Sequence, residues 1–249
     1  MDLGIAGNAA LATASSSGLG KASATALARE GANVVVNGRD EDRLAAAVEG
    51  IATVAAGEVL GVRGDLTDPD EVTGLVDRTV EAFGGLDHVV TSAGGPPRHR
   101  FPEATDEDWY DAYDLLVMGV VRLLREAEPH LRADGGGSVV HVTSISIKEP
   151  NHTNVLSSSV RAGVEGVRKT LSKEFAPEVR LNSVLPGLYR TARREDAGDP
   201  GVDLDDIPLG RMGDAREMGE VVAFLSSERA SYLTGAAIPV DGGTTESTL

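Results

Sequence analysis

The 249-residue sequence contains no cysteine. Disulfide bonds, a cysteine nucleophile and thiolate zinc sites are therefore excluded. Histidine is also sparse, and the spacing of its few copies matches no metal-ligand motif, so we expect no bound metal. These histidines are His88, His99, His130, His141 and His152.

The sequence also has few positively charged residues and lacks long apolar runs. Only 23 Lys and Arg face 39 Asp and Glu, which leaves a net charge of −16. Such a surface repels nucleic acid and anionic membranes, and we expect neither as a partner. The apolar run at 115–121 is too short to span a bilayer, and the first residues lack the pattern of a signal peptide. We therefore expect a soluble, cytoplasmic protein.

Short β-branched segments alternate with longer helical patterns along the whole chain. One helix is expected to begin at Pro69, with Asp68 as its N-cap. Two others are expected, a long one over 107–131 and one after Asn154, which can cap it. Strands separated by helices form a parallel sheet covered on both faces. The sequence therefore predicts a single domain over 1–249, of the α/β class, with a Rossmann-type doubly wound sheet that binds ligands at the carboxyl ends of its strands. Seven strands are expected, at 9–13, 33–36, 59–62, 88–91, 138–143, 180–185 and 236–240.

The loop between the first strand and the first helix, "TASSSGLG" at 13–20, has the composition of a phosphate-binding turn. A helix N-terminus offers unpaired N–H groups and the positive end of the helix dipole to an anion. Gly18 and Gly20 allow close approach of the backbone, and Ser15, Ser16 and Ser17 are expected to add hydroxyl donors. The alternative is a Ser/Gly turn without a ligand.

Here the sequence resembles the short-chain dehydrogenase/reductase family, and in particular its members similar to 3-oxoacyl-acyl-carrier-protein reductases. The loop is similar to the family's Thr-Gly-x-x-x-Gly-x-Gly signature, with Ala14 in place of the first glycine, where a methyl group narrows the approach to the cofactor. The resemblance continues in order through most of the chain. It includes "NGRDEDRL" (37–44), "GDLTD" (64–68), "TSAG" (91–94), "LPGLYRT" (185–191), "IPLGRMG" (207–213) and "SYLTGAAIPVDGG" (231–243).

The resemblance implies a bound nicotinamide dinucleotide. In sites that prefer NAD, an acid after the second strand holds the ribose 2′-hydroxyl; Gly38 occupies that position here. Arg39 follows it and suits a 2′-phosphate, although Asp40 would oppose this charge if it turned inward. We therefore expect NADP rather than NAD. The residues implied in cofactor binding are Thr13, Ser15, Ser16, Ser17, Gly18, Leu19, Gly20, Arg39, Asp65, Leu66, Ser92, Ala93, Gly94, Pro186, Gly187 and Thr191.

The residues expected at the catalytic positions depart from the family. Family members transfer protons through a tyrosine, with a lysine four residues later, a serine thirteen residues before and an asparagine on the preceding helix. Ser144 matches the serine, but Ser157 and Arg161 stand for the tyrosine and lysine, and Leu116 for the asparagine. A serine hydroxyl is a poor acid, and arginine stays protonated. We predict that the family's usual mechanism does not operate unchanged.

Three alternatives follow from these substitutions. Tyr189 or His152 supplies the proton instead; or Ser144 and Arg161 polarise a substrate that takes its proton from water; or the site is catalytically inactive and the protein binds nucleotide as a sensor or scaffold. The expected activity is oxidation or reduction of a small carbonyl or alcohol, with the inactive nucleotide-binding protein as the alternative.

Basic residues in loops expected near the cleft predict an anionic substrate or ligand, because they oppose the overall negative field. Ordinary surface ion pairs are the competing explanation. The resemblance also implies a homotetramer in which the helices over 107–131 and 154–174 pair between subunits. The basic residues are Arg98, His99, Arg100, Lys148, Arg161, Arg190, Arg193 and Arg194.

Overall fold

Seven strands form one parallel sheet in the computed structural model of the chain, which describes residues 2–133, 135–191 and 204–247. The sheet order is β3-β2-β1-β4-β5-β6-β9, so the chain moves outward from β1 in one direction and then in the other. This confirms the doubly wound, seven-stranded parallel sheet. The strands are β1 Ala9–Ala12, β2 Asn33–Gly38, β3 Val59–Arg63, β4 His88–Thr91, β5 Gly137–Val142, β6 Val179–Pro186 and β9 Ala237–Val240; two short strands, β7 Tyr189–Arg190 and β8 Gly213–Asp214, pair separately.

Helices cover both faces of this sheet and enclose two apolar cores. Helices α1, α2 and α7 pack against one face and α3, α5 and α6 against the other. No helix in the described ranges is both long enough and apolar enough to cross a membrane. The helices are α1 Gly18–Arg29, α2 Glu41–Ala52, α3 Pro69–Phe83, α4 Asp106–Tyr113, α5 Gly119–Leu131, α6 Val155–Glu174 and α7 Ala215–Ser226.

Local sequence explains how α3 begins, but not how α6 begins. The Asp68 carboxylate accepts hydrogen bonds from the N–H groups of Asp70 and Glu71, as expected for an N-cap before Pro69. Asn154 does stand at the N-cap of α6, yet its side chain makes no capping bond among the described residues, and its Oδ1 is buried without a hydrogen bond. The capping role expected for the Asn154 side chain is therefore wrong.

The long helix expected over 107–131 is confirmed, since the chain is helical without a break over 106–131, and it contains one π-helical turn. Helix α4 runs into a π-helical turn at Asp114–Met118 before α5 starts at Gly119. Gly119 lies so close to Leu66 that an added Cβ would be 3.1 Å from the Leu66 carbonyl oxygen. Turns of this kind are common at functional sites, and this one carries Leu116, whose side chain is buried in the core.

Candidate active site

The loop after β1 leaves the N-terminus of α1 open. Ser17 is the N-cap residue, but its side chain caps no N–H of the described helix. Gly18 has φ 56°, and a Cβ built on it would meet no described atom within 4 Å. Gly20 has no such space, since a Cβ there would lie 2.5 Å from the Ala14 carbonyl oxygen. An exposed helix N-terminus with space before it fits a phosphate group.

Two hydroxyl groups of this loop are engaged within the protein. Ser15 Oγ donates to the Ala12 carbonyl at 2.6 Å and accepts from the Asn37 N–H at 2.9 Å. The expectation that Ser15 donates its hydroxyl to a phosphate is therefore wrong, since that proton already has an acceptor. Thr13 Oγ1 donates to the Ser92 carbonyl at 2.7 Å and accepts from the Ser92 N–H at 2.9 Å, which fastens the loop after β4 to the end of β1.

Ala14 has a backbone conformation that favours glycine. Its φ is 43°, and its N–H donates to Asn37 Oδ1 at 3.0 Å, which helps to hold the loop in this shape. A left-handed conformation costs a residue with a Cβ about 1–2 kcal/mol. The loop thus keeps the glycine-type geometry despite the methyl group.

We expect Ala14→Gly to raise the free energy of unfolding by up to about 1 kcal/mol, because strain relief slightly exceeds the added freedom of the unfolded chain. Urea unfolding measures the effect. Ala12→Gly is the control, since it lies in a strand without positive φ and is expected to lose stability. A loss of stability in both variants would contradict the prediction.

The end of β2 presents Arg39 at the surface. Its side chain is 73% exposed, and Nη1 lies 3.3 Å from Asp65 Oδ2. Partial burial acts to raise the pKa of Asp65, but hydrogen bonds from Thr67 and Arg39 outweigh it and lower that pKa. Asp40 does not oppose Arg39, because its carboxylate turns to cap α2 at the Arg43 N–H, 2.8 Å away.

Two neighbouring positions limit what a nucleotide can meet here. A Cβ on Gly38 would lie 2.7 Å from Ser16 Oγ, so an acidic side chain at this position requires Ser16 to move. Leu66, expected beside the adenine together with Asp65, buries its side chain in the core. What Leu66 can offer a ligand is therefore its backbone.

Ser144, Ser157 and Arg161 lie where α6 packs against the turn after β5. Ser144 begins the short 3-10 turn Ile145–Ile147, and its Oγ accepts from the Ser146 N–H at 3.1 Å. Ser157 Oγ accepts from Arg161 Nε at 3.2 Å, one helical turn away, and both side chains are buried. The Ser157 hydroxyl therefore has a cationic donor beside it.

Of the two proposed substitute proton donors, Tyr189 is already engaged within the protein. Tyr189 is buried, and its hydroxyl donates to the Val240 carbonyl at 2.8 Å. Burial, followed by the carboxylates of Glu217 and Asp241, raises the pKa of Tyr189 to about 12. His152 is exposed in the turn before α6. The engaged hydroxyl and the raised pKa argue against Tyr189 as the group that replaces the tyrosine, and the role of His152 stays a prediction.

At the Pro-Gly segment expected near the nicotinamide, the backbone lies against the last strand. Pro186 ends β6, and the Gly187 N–H donates to the Val240 carbonyl at 3.2 Å. A Cβ on Gly187 would lie 2.7 Å from Asp241, so this close approach requires glycine. Thr191 is the last residue described before the gap at 192–203.

The sequence and structure of the chain were compared with those of known proteins. A family model described as enoyl-(acyl carrier protein) reductase matches residues 13–245. The chain is 32% identical over 241 residues to a short-chain type dehydrogenase/reductase of Sinorhizobium fredii, a match that covers 92% of this chain and 93% of that protein. It is 33% identical over 245 residues to a 3-oxoacyl-[acyl-carrier-protein] reductase of Thermotoga maritima, covering 95% and 97%.

The chain belongs to the short-chain dehydrogenase/reductase family. Among solved structures, the L-sorbose reductase of Gluconobacter frateurii, in complex with NADPH and L-sorbose, superposes with a TM-score of 0.92 at 35% identity, over 99% of this chain and all of that one (100%). The match confirms the family assignment and the doubly wound fold.

A row of buried polar side chains, which sequence reasoning missed, crosses the sheet of this short-chain dehydrogenase/reductase. It faces the α6 side, at the carboxyl ends of five adjacent strands. Each member follows by two positions an apolar residue of the core on that face, Leu11, Val35, Val89, Val139 or Leu181. The available signal was the alternation of side chains along a strand, which places a residue two positions further on the same face as the apolar one. In sheet order the row is Asn37, Thr13, Thr91, His141 and Ser183.

Opposite this row, α6 of the reductase-family fold carries a buried ion pair that the sequence analysis also missed. Arg168 Nε lies 3.0 Å from Glu165 Oε1, with side-chain exposures of only 4% and 12%. Glu165 also accepts a short hydrogen bond from Ser183 Oγ, and Arg168 Nη1 donates to the Leu181 carbonyl at 3.1 Å. The spacing of Arg161, Glu165 and Arg168 along one helix face was the signal that predicts this cluster.

The basic loop after β4 lies beside the start of α6, because the Val155 N–H donates to the His99 carbonyl at 3.3 Å. His99 itself lies 3.9 Å from the Asp108 carboxylate. Arg98 and Arg100 are exposed, as is Arg190 in β7, and Lys148 is half-buried just after the Ser144 turn. Arg193 and Arg194, which the sequence adds to this group, lie outside the described residues.

Proposed function

We propose that this short-chain dehydrogenase/reductase is an NADP(H)-dependent oxidoreductase of a small carbonyl or alcohol, with an atypical catalytic site. The open N-terminus of α1 is the observation that carries the nucleotide assignment. The preference for NADP rests on Arg39 at the end of β2 and on the Gly38 position, where a Cβ meets Ser16. The NADPH complex of the similar L-sorbose reductase supports the same choice.

The nucleotide would lie along the carboxyl ends of β1, β2, β4 and β6. Ser16, Ser17 and the first N–H groups of α1 would hold its phosphates, Arg39 its 2′-phosphate, and the segments 92–94 and 186–187 its nicotinamide half. When bound, the nicotinamide supplies or accepts the hydride.

The catalytic groups of the chain act by polarisation in this proposal. The Ser144 hydroxyl donates a hydrogen bond to the substrate oxygen, and Arg161 anchors the ribose or a negatively charged substrate group. Arg161 stays protonated, so it cannot relay a proton. The Ser157 hydroxyl accepts from Arg161 but is a far weaker acid than a phenol. We therefore assign the proton to water.

An anionic substrate is the second part of this proposal. The exposed Arg98 and Arg100 lie on a loop that touches the first turn of α6, within a chain of net charge −16. A local positive patch in a negative field attracts anions. A homotetramer, as the family resemblance implies, is part of the same proposal, together with the cytoplasmic location expected from the sequence.

A non-catalytic nucleotide-binding protein is the second candidate function. It is favoured because the hydroxyl groups of Tyr189 and Ser157, both considered for proton transfer, already make hydrogen bonds within the protein. Tyr189 donates to Val240, and Ser157 is bonded to Arg161. In that case the same cofactor site serves a sensor or scaffold.

Titration with NADPH and with NADH tests the nucleotide site. We expect NADPH to bind with a Kd on the order of micromolar, and Arg39→Ala to weaken it about 10–100-fold, as expected for hydrogen bonds between charged groups. NADH affinity is expected to change little in this variant. Arg43→Ala is the matched control, since this exposed arginine lies on the first turn of α2. Isothermal calorimetry measures the affinities of all three proteins for both nucleotides.

If the wild-type protein binds neither NADPH nor NADH, the proposed function is contradicted. With binding established, turnover of ketones that carry a carboxylate is compared with turnover of their esters. Preference for the carboxylate supports the anionic substrate. NADPH binding without turnover of any ketone in the screen favours the second candidate function.

A further inference from the structure

The chain after β9 begins with a turn at the carboxyl edge of the sheet. β9 ends at Val240, and Asp241 follows it. The Asp241 carboxylate accepts hydrogen bonds from the N–H groups of Gly243 and Thr245, at 2.9 and 2.8 Å. Asp241 also lies against Gly187, where an added Cβ would be 2.7 Å away. The C-terminal segment therefore starts beside the part of the site assigned to the nicotinamide.

The same segment ends on the turn that carries Ser144. The N–H groups of Glu246 and Ser247 both donate to Glu149 Oε1, at 3.1 and 2.9 Å. The Glu149 N–H in turn donates to the Ile145 carbonyl at 2.9 Å, so Glu149 belongs to the turn that Ser144 begins. One carboxylate oxygen thus fastens two consecutive backbone groups of the C-terminal segment to the candidate active site.

Residues 244–247, here called the C-terminal strap, connect the two sides of the candidate active site. Strands β5, β6 and β9 are neighbours in the sheet. The strap comes from the end of β9 and reaches the turn after β5, so it passes the end of β6. The chain from 241 to 247 can extend about 20 Å, whereas two strand spacings amount to about 10 Å. The strap therefore borders the space between the Ser144 turn, assigned to the substrate oxygen, and Gly187, assigned to the nicotinamide.

The fastening at Glu149 can hold the strap and can also release it. Hydrogen bonds to a charged acceptor are stronger than those between neutral groups. Glu149 is half-buried, but Glu246 and Ser247 are exposed to solvent. Segments with exposed backbone hydrogen bonds open locally at a small cost in free energy. The strap can thus open for substrate entry while Asp241 keeps its first residues in place.

We propose that the C-terminal strap is the outer wall of the substrate pocket, and that Glu149 is a specificity-determining positioning residue because it holds this wall closed. A closed wall limits the pocket to small carbonyl compounds and excludes ketones with a bulky group. Glu149 acts through the strap, since its Oε1 accepts the two strap N–H groups. The inference rests on the proposed function, because the pocket is the one assigned there between Ser144 and the nicotinamide.

Hydrogen exchange of the strap amides tests the fastening without any ligand. We expect Glu149→Ala to speed exchange of the Glu246 and Ser247 N–H groups about tenfold, as expected for the loss of hydrogen bonds to a charged group. Glu149→Gln keeps an oxygen acceptor at the same place and is expected to stay within about threefold of the wild type. Glu107→Ala is the matched control, since it removes the same charge from the exposed first turn of α4. Amide NMR measures all four proteins.

Ketone selectivity tests the wall itself. With NADPH as cofactor, kcat/KM is measured for butanone and for benzylacetone, which is butanone with a phenyl group on its terminal carbon. We expect Glu149→Ala to raise the ratio of benzylacetone to butanone about tenfold, within the range that exclusion of one group from a pocket provides. Glu149→Gln and Glu107→Ala should keep the wild-type ratio. NADPH affinity should be the same in all four proteins, because the strap lies on the substrate side of the nicotinamide.

Faster amide exchange with an unchanged ketone ratio would overturn the wall, and equal exchange in wild type and Glu149→Ala would overturn the fastening. If the protein binds NADPH but reduces neither ketone, acrylamide quenching of the fluorescence of bound NADPH decides instead. Greater quenching in Glu149→Ala supports the inference, and equal quenching overturns it. Failure of the wild type to bind NADPH would contradict the proposed function, while the exchange rates still decide whether Glu149 fastens the strap.

Discussion

Replacing Ser157 by tyrosine and Arg161 by lysine together should raise the turnover of a generic ketone with NADPH by about 10²–10⁴-fold, the usual contribution of a general acid. In the present structure the Ser157 hydroxyl accepts from a guanidinium that stays protonated, so neither residue can deliver a proton near neutral pH. A phenol with an ammonium group beside it has a lowered pKa and can. Single-turnover oxidation of NADPH, followed by absorbance, measures the change.

The control is the double variant with phenylalanine at position 157 and lysine at 161, which adds the ring without the hydroxyl. It should remain as slow as the wild type. A gain shared by both double variants would trace the effect to packing and contradict the prediction. Loss of a native activity in the tyrosine variant would show that Ser157 and Arg161 perform a chemistry of their own, whereas gain alone would show a site silenced by substitution.

The free energy of unfolding should fall by about 4 kcal/mol between about pH 7.5 and about pH 5, because two histidines are buried in the neutral form. Burial and then Arg180 lower the pKa of His88 from 6.5 to about 4, and burial and then the two α6 arginines lower that of His141 to about 3. The unfolded chain therefore binds more protons than the folded one below pH 6.5. This contribution is complete above that pH and is lost progressively as the pH falls toward the folded values.

Urea unfolding of the wild type at the two pH values measures this loss. The variant with both His88→Asn and His141→Asn is expected to be less stable at neutral pH, and to lose less than about 1 kcal/mol on acidification, since the two titrating groups are gone. His130→Asn, at the end of α5, is a histidine control that should keep the wild-type slope. Equal slopes in the wild type and the double variant would contradict the prediction.

The order of strands and helices was predictable because it depends on local patterns. Runs such as 33–36 and 88–91 are apolar and β-branched, and each became a strand of the parallel sheet. The start of α3 was predictable for the same reason, since Asp68 caps N–H groups only two and three residues away. The N-terminus of α1 could likewise be located from two glycines and a run of serines.

The engagement of individual side chains in the site could not be predicted in this way. Ser15 and Ser16 are neighbours with the same chemistry, yet Ser15 bonds to β1 and β2, while Ser16 packs at Gly38. Asp40 turned out to cap α2 rather than oppose Arg39. Each outcome depends on which strand end lies alongside, and that is decided by pairing between segments distant in the chain.

The sequence by itself determined the alternation of strands and helices, the glycine-bearing loop at the head of α1, and the residue types available at positions 144, 157 and 161, because these depend on neighbours within a few residues. Only the tertiary structure decided that the Tyr189 hydroxyl is engaged and that the long helix contains a π-helical turn at Asp114–Met118. It also decided that His141 of β5 comes within hydrogen-bond distance of Thr91 of β4. The physical reason is that sheet register and helix docking bring these groups into contact across 20 or more residues of chain, a distance over which no local pattern carries information.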